Sequence, residues 1–328
     1  MKLLVTGGLG FIGSNFITKL LSKNEDFKII NVDAELHGSE KRNLSNVENH
    51  PNYEFVKGNI TNKRLMEELI TKSDAVINFA AESFVDRSIT DPNSFLVSNV
   101  RGTFTILDII SKQKKRLVQI STDEVFGSLL SGSATEDSKL NPSNPYSATK
   151  AAAELLINSY YNTFNSDVVI TRCTNNYGPR QFAEKLIPKT FILAKQNKKI
   201  PIYGKGTNIR DWIFVDDHCD GILSSLLHGK SGQSYNISGN NELDNIRIVK
   251  TILSLMGKSE DQIQFVEDRP GHDFRYSMDS SKISKELNWK PKISFEDGLR
   301  KTIQWYNENE EIWKDISSDI LNHTPWKK

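Results

Sequence analysis

The sequence predicts an α/β protein: a doubly wound parallel sheet, followed by a smaller mixed α/β substrate domain. Three observations carry this expectation. The chain opens on a β-rich run over residues 2–6, then the turn Gly7-Gly8-Leu9-Gly10-Phe11-Ile12-Gly13-Ser14, then a helical pattern through Leu21. Strand, glycine turn and helix in that order is the context that makes such a turn a dinucleotide fingerprint. Short apolar runs then alternate with helical patterns, as parallel strands joined by helical crossovers do. After Arg172 the alternation gives way to a turn cluster, Asn175-Asn176-Tyr177-Gly178-Pro179-Arg180. We therefore expect a Rossmann-type NAD-binding domain over residues 1–172, with a returning segment at about 213–238, and a substrate-binding domain over 173–328.

Each element has its own reason. Gly7, Gly10 and Gly13 let the backbone approach a pyrophosphate, and the helix beginning near Phe11 and Ile12 turns its positive end toward that charge. Residues 27–32 form the second strand, with Asp33 at its end. A carboxylate there bonds ribose hydroxyls and repels a 2′-phosphate, which favours NAD over NADP. Residues 53–57 form the third strand and run into Gly58-Asn59-Ile60, where Asn59 is placed to meet the adenine edge. Residues 74–79 form the fourth, and the small Ala80 and Ala81 after it leave room for a flat ring and a sugar. Asp91-Pro92 opens a long helix with proline in its first turn, patterned by Phe95, Val100, Phe104, Leu107 and Ile110. Residues 116–121 form the fifth strand, 127–142 an exposed loop and 168–172 the sixth strand. Farther on, Arg210-Asp211-Trp212 and Asp268-Arg269-Pro270-Gly271-His272 read as loops whose cations suit phosphate or an ordinary surface ion pair. An apolar helix through Leu227 is expected to pack back on the first domain. Trp305 and Trp313 read as core residues of a C-terminal amphipathic helix, and the tail from Ser317 as docked or poorly ordered.

Two stretches carry chemistry. Ile120-Ser121-Thr122-Asp123-Glu124-Val125 ends the fifth strand with a hydroxyl and two carboxylates side by side. Successive strand residues point to opposite faces, so the chain must leave the strand before Asp123 and Glu124 for both to serve one substrate. Adjacent carboxylates repel, which raises one of them and keeps a proton available near neutral pH. In the alanine-rich helix after Pro145, Tyr146 and Lys150 are four apart and share a face. A lysine beside a phenol is expected to favour the phenolate, making Tyr146 a base for a sugar hydroxyl while hydride leaves the same carbon.

Composition excludes several classes. A net charge of +1 gives no global attraction to nucleic acid or to an anionic membrane. The two cysteines, Cys173 and Cys219, make no disulfide framework, and with six histidines lacking ligand spacing no metal is expected. No apolar run reaches membrane-spanning length and none at the start resembles a signal peptide, so a cytoplasmic protein is expected.

These motifs resemble those of the extended short-chain dehydrogenase/reductases. The Gly7 turn and the Tyr146/Lys150 pair mark that superfamily. Within it, the nucleotide-sugar 4,6-dehydratases are matched by Ala80-Ala81-Glu82-Ser83 with Val85-Asp86-Arg87-Ser88, by Ser121 to Val125 and by Asn175 to Pro179. Glu184-Lys185-Leu186-Ile187-Pro188, Asn208 to Trp212 and Asp268 to Asp273 complete the match. The resemblance implies NAD-dependent dehydration of dTDP-glucose to dTDP-4-keto-6-deoxyglucose, of the kind that supplies rhamnose. It implies that Thr122 bonds the sugar 4-hydroxyl, Tyr146 is the base there, Asp123 the acid at the 6-hydroxyl and Glu124 the base at C5. Ile60, Ser98, Ala80, Ala81 and Asn176 would lie along the NAD. Ser83, Asn175, Lys185, Leu186, Arg210, Asn245, Arg269, His272 and Tyr276 would hold the nucleotide sugar. A homodimer joined through the helices starting near Asp91 and Tyr146 is also implied. Asn59, Phe84, Phe126 and Phe274 depart from the commonest pattern. The rival readings are a dehydratase of another nucleotide sugar, a 4-epimerase or decarboxylase, and a non-catalytic NAD-binding scaffold.

Overall fold

A computed structural model describes residues 1–23 and 26–321. The strands in chain order are β1 (Lys2–Thr6), β2 (Lys28–Asp33), β3 (Tyr53–Lys57), β4 (Ala75–Asn78), β5 (Arg116–Thr122), β6 (Val168–Cys173), β7 (Asn175–Tyr177), β8 (Ile200–Tyr203), β9 (Ile209–Phe214), β10 (Gln233–Ile237), β11 (Glu242–Asp244) and β12 (Ile263–Val266). Seven of them form one sheet in the order β10-β6-β5-β4-β1-β2-β3, and every pairing in it is parallel. A parallel sheet is covered on both faces, so its strands are near-continuous apolar runs. Leu3 and Val5 join the core on one face with Phe16, Ile29 and Ile77, while Leu4 joins the other with Ile30, Val76 and Ile106. The strand period of two sorts neighbouring residues between these cores.

The helices are α1 (Phe11–Lys23), α2 (Lys63–Thr71), α3 (Val85–Thr90), α4 (Pro92–Phe95), α5 (Thr103–Gln113), α6 (Pro145–Phe164), α7 (Leu186–Lys195), α8 (Val215–His228), α9 (Asn245–Leu255), α10 (Ser281–Leu287) and α11 (Phe295–Glu308). Helix α6 starts cleanly because Asn144 accepts from the Ser147 amide in a capping box, with Pro145 in the first turn. Strand β10, reached after α8, adds to the sheet beside β6.

Several elements differ from the sequence expectation. The helix opened by Asp91-Pro92 is α4 and α5 joined by a π-helical stretch, Leu96–Gly102. In that stretch Asn99 bonds the Glu82 backbone at 2.8 and 3.0 Å and the Thr149 hydroxyl at 3.0 Å. The widened turn shifts the phase of the apolar pattern, and Phe104 ends up 46% exposed. Arg210-Asp211-Trp212 is not a loop but lies in β9, and Asn175–Tyr177 is a strand that pairs with it. Their charges mislead because the partners are distant: the Asp211 carboxylate accepts the amides of Asn240 and Asn241 at 3.2 and 2.6 Å. Trp313 lies beyond α11, after a short turn at Glu310–Ile312, and packs edge-on against Phe191. Ile316, Ile320 and Leu321 pack on the same cluster; the rest of the tail, 322–328, lies outside the described residues. Among the described residues no helix is long and apolar enough to cross a membrane.

Candidate active site

The strands of the main sheet end on one side in a cleft of about 280 Å³. This is where an open α/β sheet leaves a crevice for a ligand. Gly7, Gly10, Phe11, Ile12 and Gly13 line it from the first turn, Asp33 from the end of β2, Asn59 and Ile60 from β3, and Ala80, Ala81 and Ser83 from β4. Ser98 enters from the π-helical stretch, Thr122, Asp123 and Glu124 from β5, Asn175 and Asn176 from β7, and Tyr146 and Lys150 from α6. Lys185 lines it just before α7.

The glycine turn is built for close approach. Gly7 has φ +70°, and a Cβ there would stand 2.6 Å from the Ala80 amide nitrogen; one on Gly13 would stand 2.6 Å from the Gly7 carbonyl oxygen. Asp33 holds this turn in place: its carboxylate accepts the Leu9 and Glu35 amides at 3.0 and 2.8 Å and the Ser39 hydroxyl at 2.9 Å. A narrow glycine cradle, a helix start and a buried carboxylate at the end of β2 fit a dinucleotide. Asn59 uses its side-chain oxygen to cap Thr61. Asn176 is fixed by His218, fully buried at 2.8 Å. Burial pushes His218 down to about 3, so the neutral ring donates from Nδ1.

The chain leaves β5 after Thr122 into a short turn, Asp123–Phe126, so the two carboxylates escape strand alternation. Asp123 is 4% exposed. Burial, and then the charge of Glu124, hold it well above the ordinary carboxylate range. One oxygen takes a 3.1 Å bond from Thr122, and the other is buried with no partner among the described residues. Glu124 is reached by Asn144 and by the Tyr276 hydroxyl, each at 3.5 Å.

The Tyr146/Lys150 pair differs from its expected electrostatics. Lys150 gives its ammonium to the Ile120 carbonyl at 2.7 Å. Burial lowers it to about 8. Burial, with Glu124 second, raises Tyr146 well above its ordinary value, and the Thr122 hydroxyl opposes this. The expected lowering of the phenol by Lys150 is therefore not seen in this state; desolvation sets the direction.

One wall of the cleft is completed by His37, which gives no sequence signal. His37, in the loop after β2, bonds Glu184 at 2.7 Å and meets the edges of Phe84 and Phe182 at 4.8 and 5.0 Å. Lys185 lies 4.4 Å over Phe84. Phe84 thus serves as an aromatic seat for Lys185 and His37. His37, Gln181, Phe182 and Cys173 also line the cleft; Gln181 and Phe182 belong to the segment that the dehydratase resemblance places over the substrate, and only a place at or after a strand end could have flagged His37 and Cys173.

A family model described as GDP-mannose 4,6 dehydratase matches residues 4–302. The chain belongs to this dehydratase family. It is 47% identical over 312 residues to a low-salt glycan biosynthesis protein of Haloferax volcanii, covering 95% of this chain and 100% of that one. It is similar to the crystal structure of dTDP-glucose 4,6-dehydratase from Bacillus anthracis in complex with NAD, with TM-score 0.90, 46% identity, and 96% and 99% of the two chains covered. It is also similar to the dTDP-glucose 4,6-dehydratase of Streptomyces venezuelae with NAD and TYD bound, with TM-score 0.93, 43% identity and the same coverage.

The remaining positions implied by the dehydratase resemblance lie outside the cleft lining. Leu186 packs between two apolar clusters. Arg210 stacks 4.3 Å over Tyr276 and gives its guanidinium to the Asp273 and Phe274 carbonyls. Arg269 pairs with Asp86 at 2.7 Å and His272 with Asp268 at 2.6 Å. Asn245 is the first residue of α9. Of the other departures, Phe126 is buried under the Arg172 guanidinium at 4.9 Å, and Phe274 is 45% exposed. Among the described residues no group of three or more His, Cys, Asp or Glu is arranged to hold a metal.

Proposed function

We propose that the protein dehydrates dTDP-glucose to dTDP-4-keto-6-deoxyglucose, with NAD as a retained cofactor. One observation carries this reading: Thr122, Asp123, Glu124 and Tyr146 line the same cleft as the glycine turn. The glycine turn, Asp33 and Ala80-Ala81 would hold NAD, which would supply a hydride acceptor beside C4 and a hydride donor for C6. Tyr146 takes the 4-hydroxyl proton while Thr122 holds that oxygen. The C4 ketone acidifies C5, and Glu124 removes the C5 proton and gives it back to C5 once C6 is reduced. Hydroxide is a poor leaving group, so Asp123 supplies the proton that lets the 6-oxygen leave as water. Its raised affinity for a proton suits that role. Ser83, Asn175 and Lys185 hold the sugar nucleotide in the cleft. Arg210 and Arg269 supply a cationic end for the diphosphate, with His272, Tyr276, Leu186 and Asn245 beside it.

The test is the Asp123→Asn, Glu124→Gln double variant. It should reduce bound NAD with dTDP-glucose, seen by near-ultraviolet absorbance, yet release no dehydrated product by mass spectrometry. Normal turnover would sink the assignment. Running dTDP-, UDP-, GDP- and CDP-glucose side by side decides the base.

The homodimer belongs to this proposal. Leu96, Phe104, Leu155 and Phe164 are 46–61% exposed on the helices from Pro92 to Gln113 and on α6, and Tyr160 on α6 touches both Phe104 of α5 and Phe164. Apolar exposure of this kind marks an interface. The free, buried Cys173 and Cys219 suit a reducing cytoplasm.

A further inference from the structure

Glu154 does not line the cleft, yet it is fully buried one helical turn beyond Lys150 on α6. Its carboxylate accepts the Ser121 hydroxyl on β5. It also accepts the Arg172 guanidinium of β6, from Nε at 3.1 Å and Nη2 at 2.8 Å. Ser121 and Arg172 are register partners on the two strands. Arg172 spends its remaining nitrogen on the Glu136 carbonyl at 3.1 Å. Helix α6 is thus pinned to β5 at two consecutive residues, Ile120 through Lys150 and Ser121 through Glu154. The next residues along β5 are Thr122 and Asp123. A buried Arg–Glu pair is a poor device for stability alone, because an apolar pair of similar size often holds a core as well.

We propose that Glu154 is a positioning residue for the dehydration: it sets the spacing between the Tyr146–Lys150 face of α6 and the Thr122-Asp123-Glu124 stretch. This rests on the function proposed above. The groups around Lys150 are Tyr146 and Glu154 on its own helix, the Ile120 carbonyl on β5 and the Cys173 thiol on β6. Asp123 in turn acts on the Cys173 thiol. Burial is what pushes Lys150 down to about 8, and Glu154 is the foremost influence opposing it. Removing the carboxylate therefore lowers the lysine further.

Two variants test this: Glu154→Gln, and Glu154→Leu combined with Arg172→Met, which removes the arginine charge together with the carboxylate. The Lys150 titration, followed by NMR of 13C-labelled lysine without substrate, should move down by about one pH unit. In single-turnover reduction of bound NAD by dTDP-glucose, the alkaline limb should move down with it. The maximal rate should fall about tenfold, with KM nearly unchanged, as loosened geometry predicts. An unmoved Lys150 titration and alkaline limb would show that Glu154 only fills the core. Failure of both variants to fold would show the same and would also overturn the proposal. The NMR reading needs no substrate, so it is separable from an error in the substrate itself.

Discussion

Asp123 is the side chain whose surroundings matter most. Its folded-state affinity for a proton is raised by burial first and by Glu124 second. A group of this kind contributes stability in full below its unfolded pKa, and the contribution is lost as pH rises through the raised folded value. Asp123→Asn removes that dependence. Ligand-free melting curves of parent and variant should coincide near about pH 4 and separate as pH rises, the variant melting a few degrees higher. A gap that stays flat with pH would mean that Asp123 holds no proton in the folded state. Tyr146 poses the opposite problem, because a phenol so buried resists ionising. Replacing it with Phe should slow reduction of bound NAD by at least about a hundredfold, read by stopped-flow absorbance. Rapid reduction by that variant would remove Tyr146 from the base role.

The glycine turn and the end of β5 are the elements that make a site from a sheet. Gly7 sits at φ +70° with the Ala80 backbone 2.6 Å from where a Cβ would be. Gly7→Ala therefore forces both a strained backbone and a shift of the strand β4 exit, a cost of roughly 1–3 kcal/mol. The variant should bind NAD weakly and melt lower; unchanged NAD retention through gel filtration would contradict this. The turn Asp123–Phe126 does a comparable job at β5, since ending the strand at Thr122 puts neighbouring carboxylates on one side. The π-helical stretch Leu96–Gly102 brings Ser98 to the cleft while Asn99 reaches both Glu82 and Thr149.

At the scale of the whole molecule, the cleft lies where loops from distant parts of the chain converge. His37 and Glu184, 147 residues apart, close one wall. The exposed apolar residues of α5 and α6 form the opposite kind of feature, a surface with nothing over it in the single chain. Phe104→Glu with Phe164→Glu should convert a dimer to a folded monomer, measured by sedimentation equilibrium with circular dichroism as the folding control. A parent chain that sediments as a monomer would remove the dimer from the proposal.

Local patterns were enough for much of this protein. The spacing of Gly7, Gly10 and Gly13 between a strand and a helix, Asp33 after β2, the Thr122-Asp123-Glu124 run and the Tyr146/Lys150 face are all set by residues within a few positions of one another. Strand alternation and helical periodicity are short-range rules, so the parallel sheet could be read from them. Partner choice and proton affinity are decided through space. Nothing near Arg210 in the chain says that it sits in a strand with its guanidinium on the carbonyls of Asp273 and Phe274. Nothing near Glu154 announces Arg172, and nothing near Lys150 says that its ammonium turns to Ile120 while burial raises Tyr146. Only tertiary structure settles which charges lose their water and which partner replaces it.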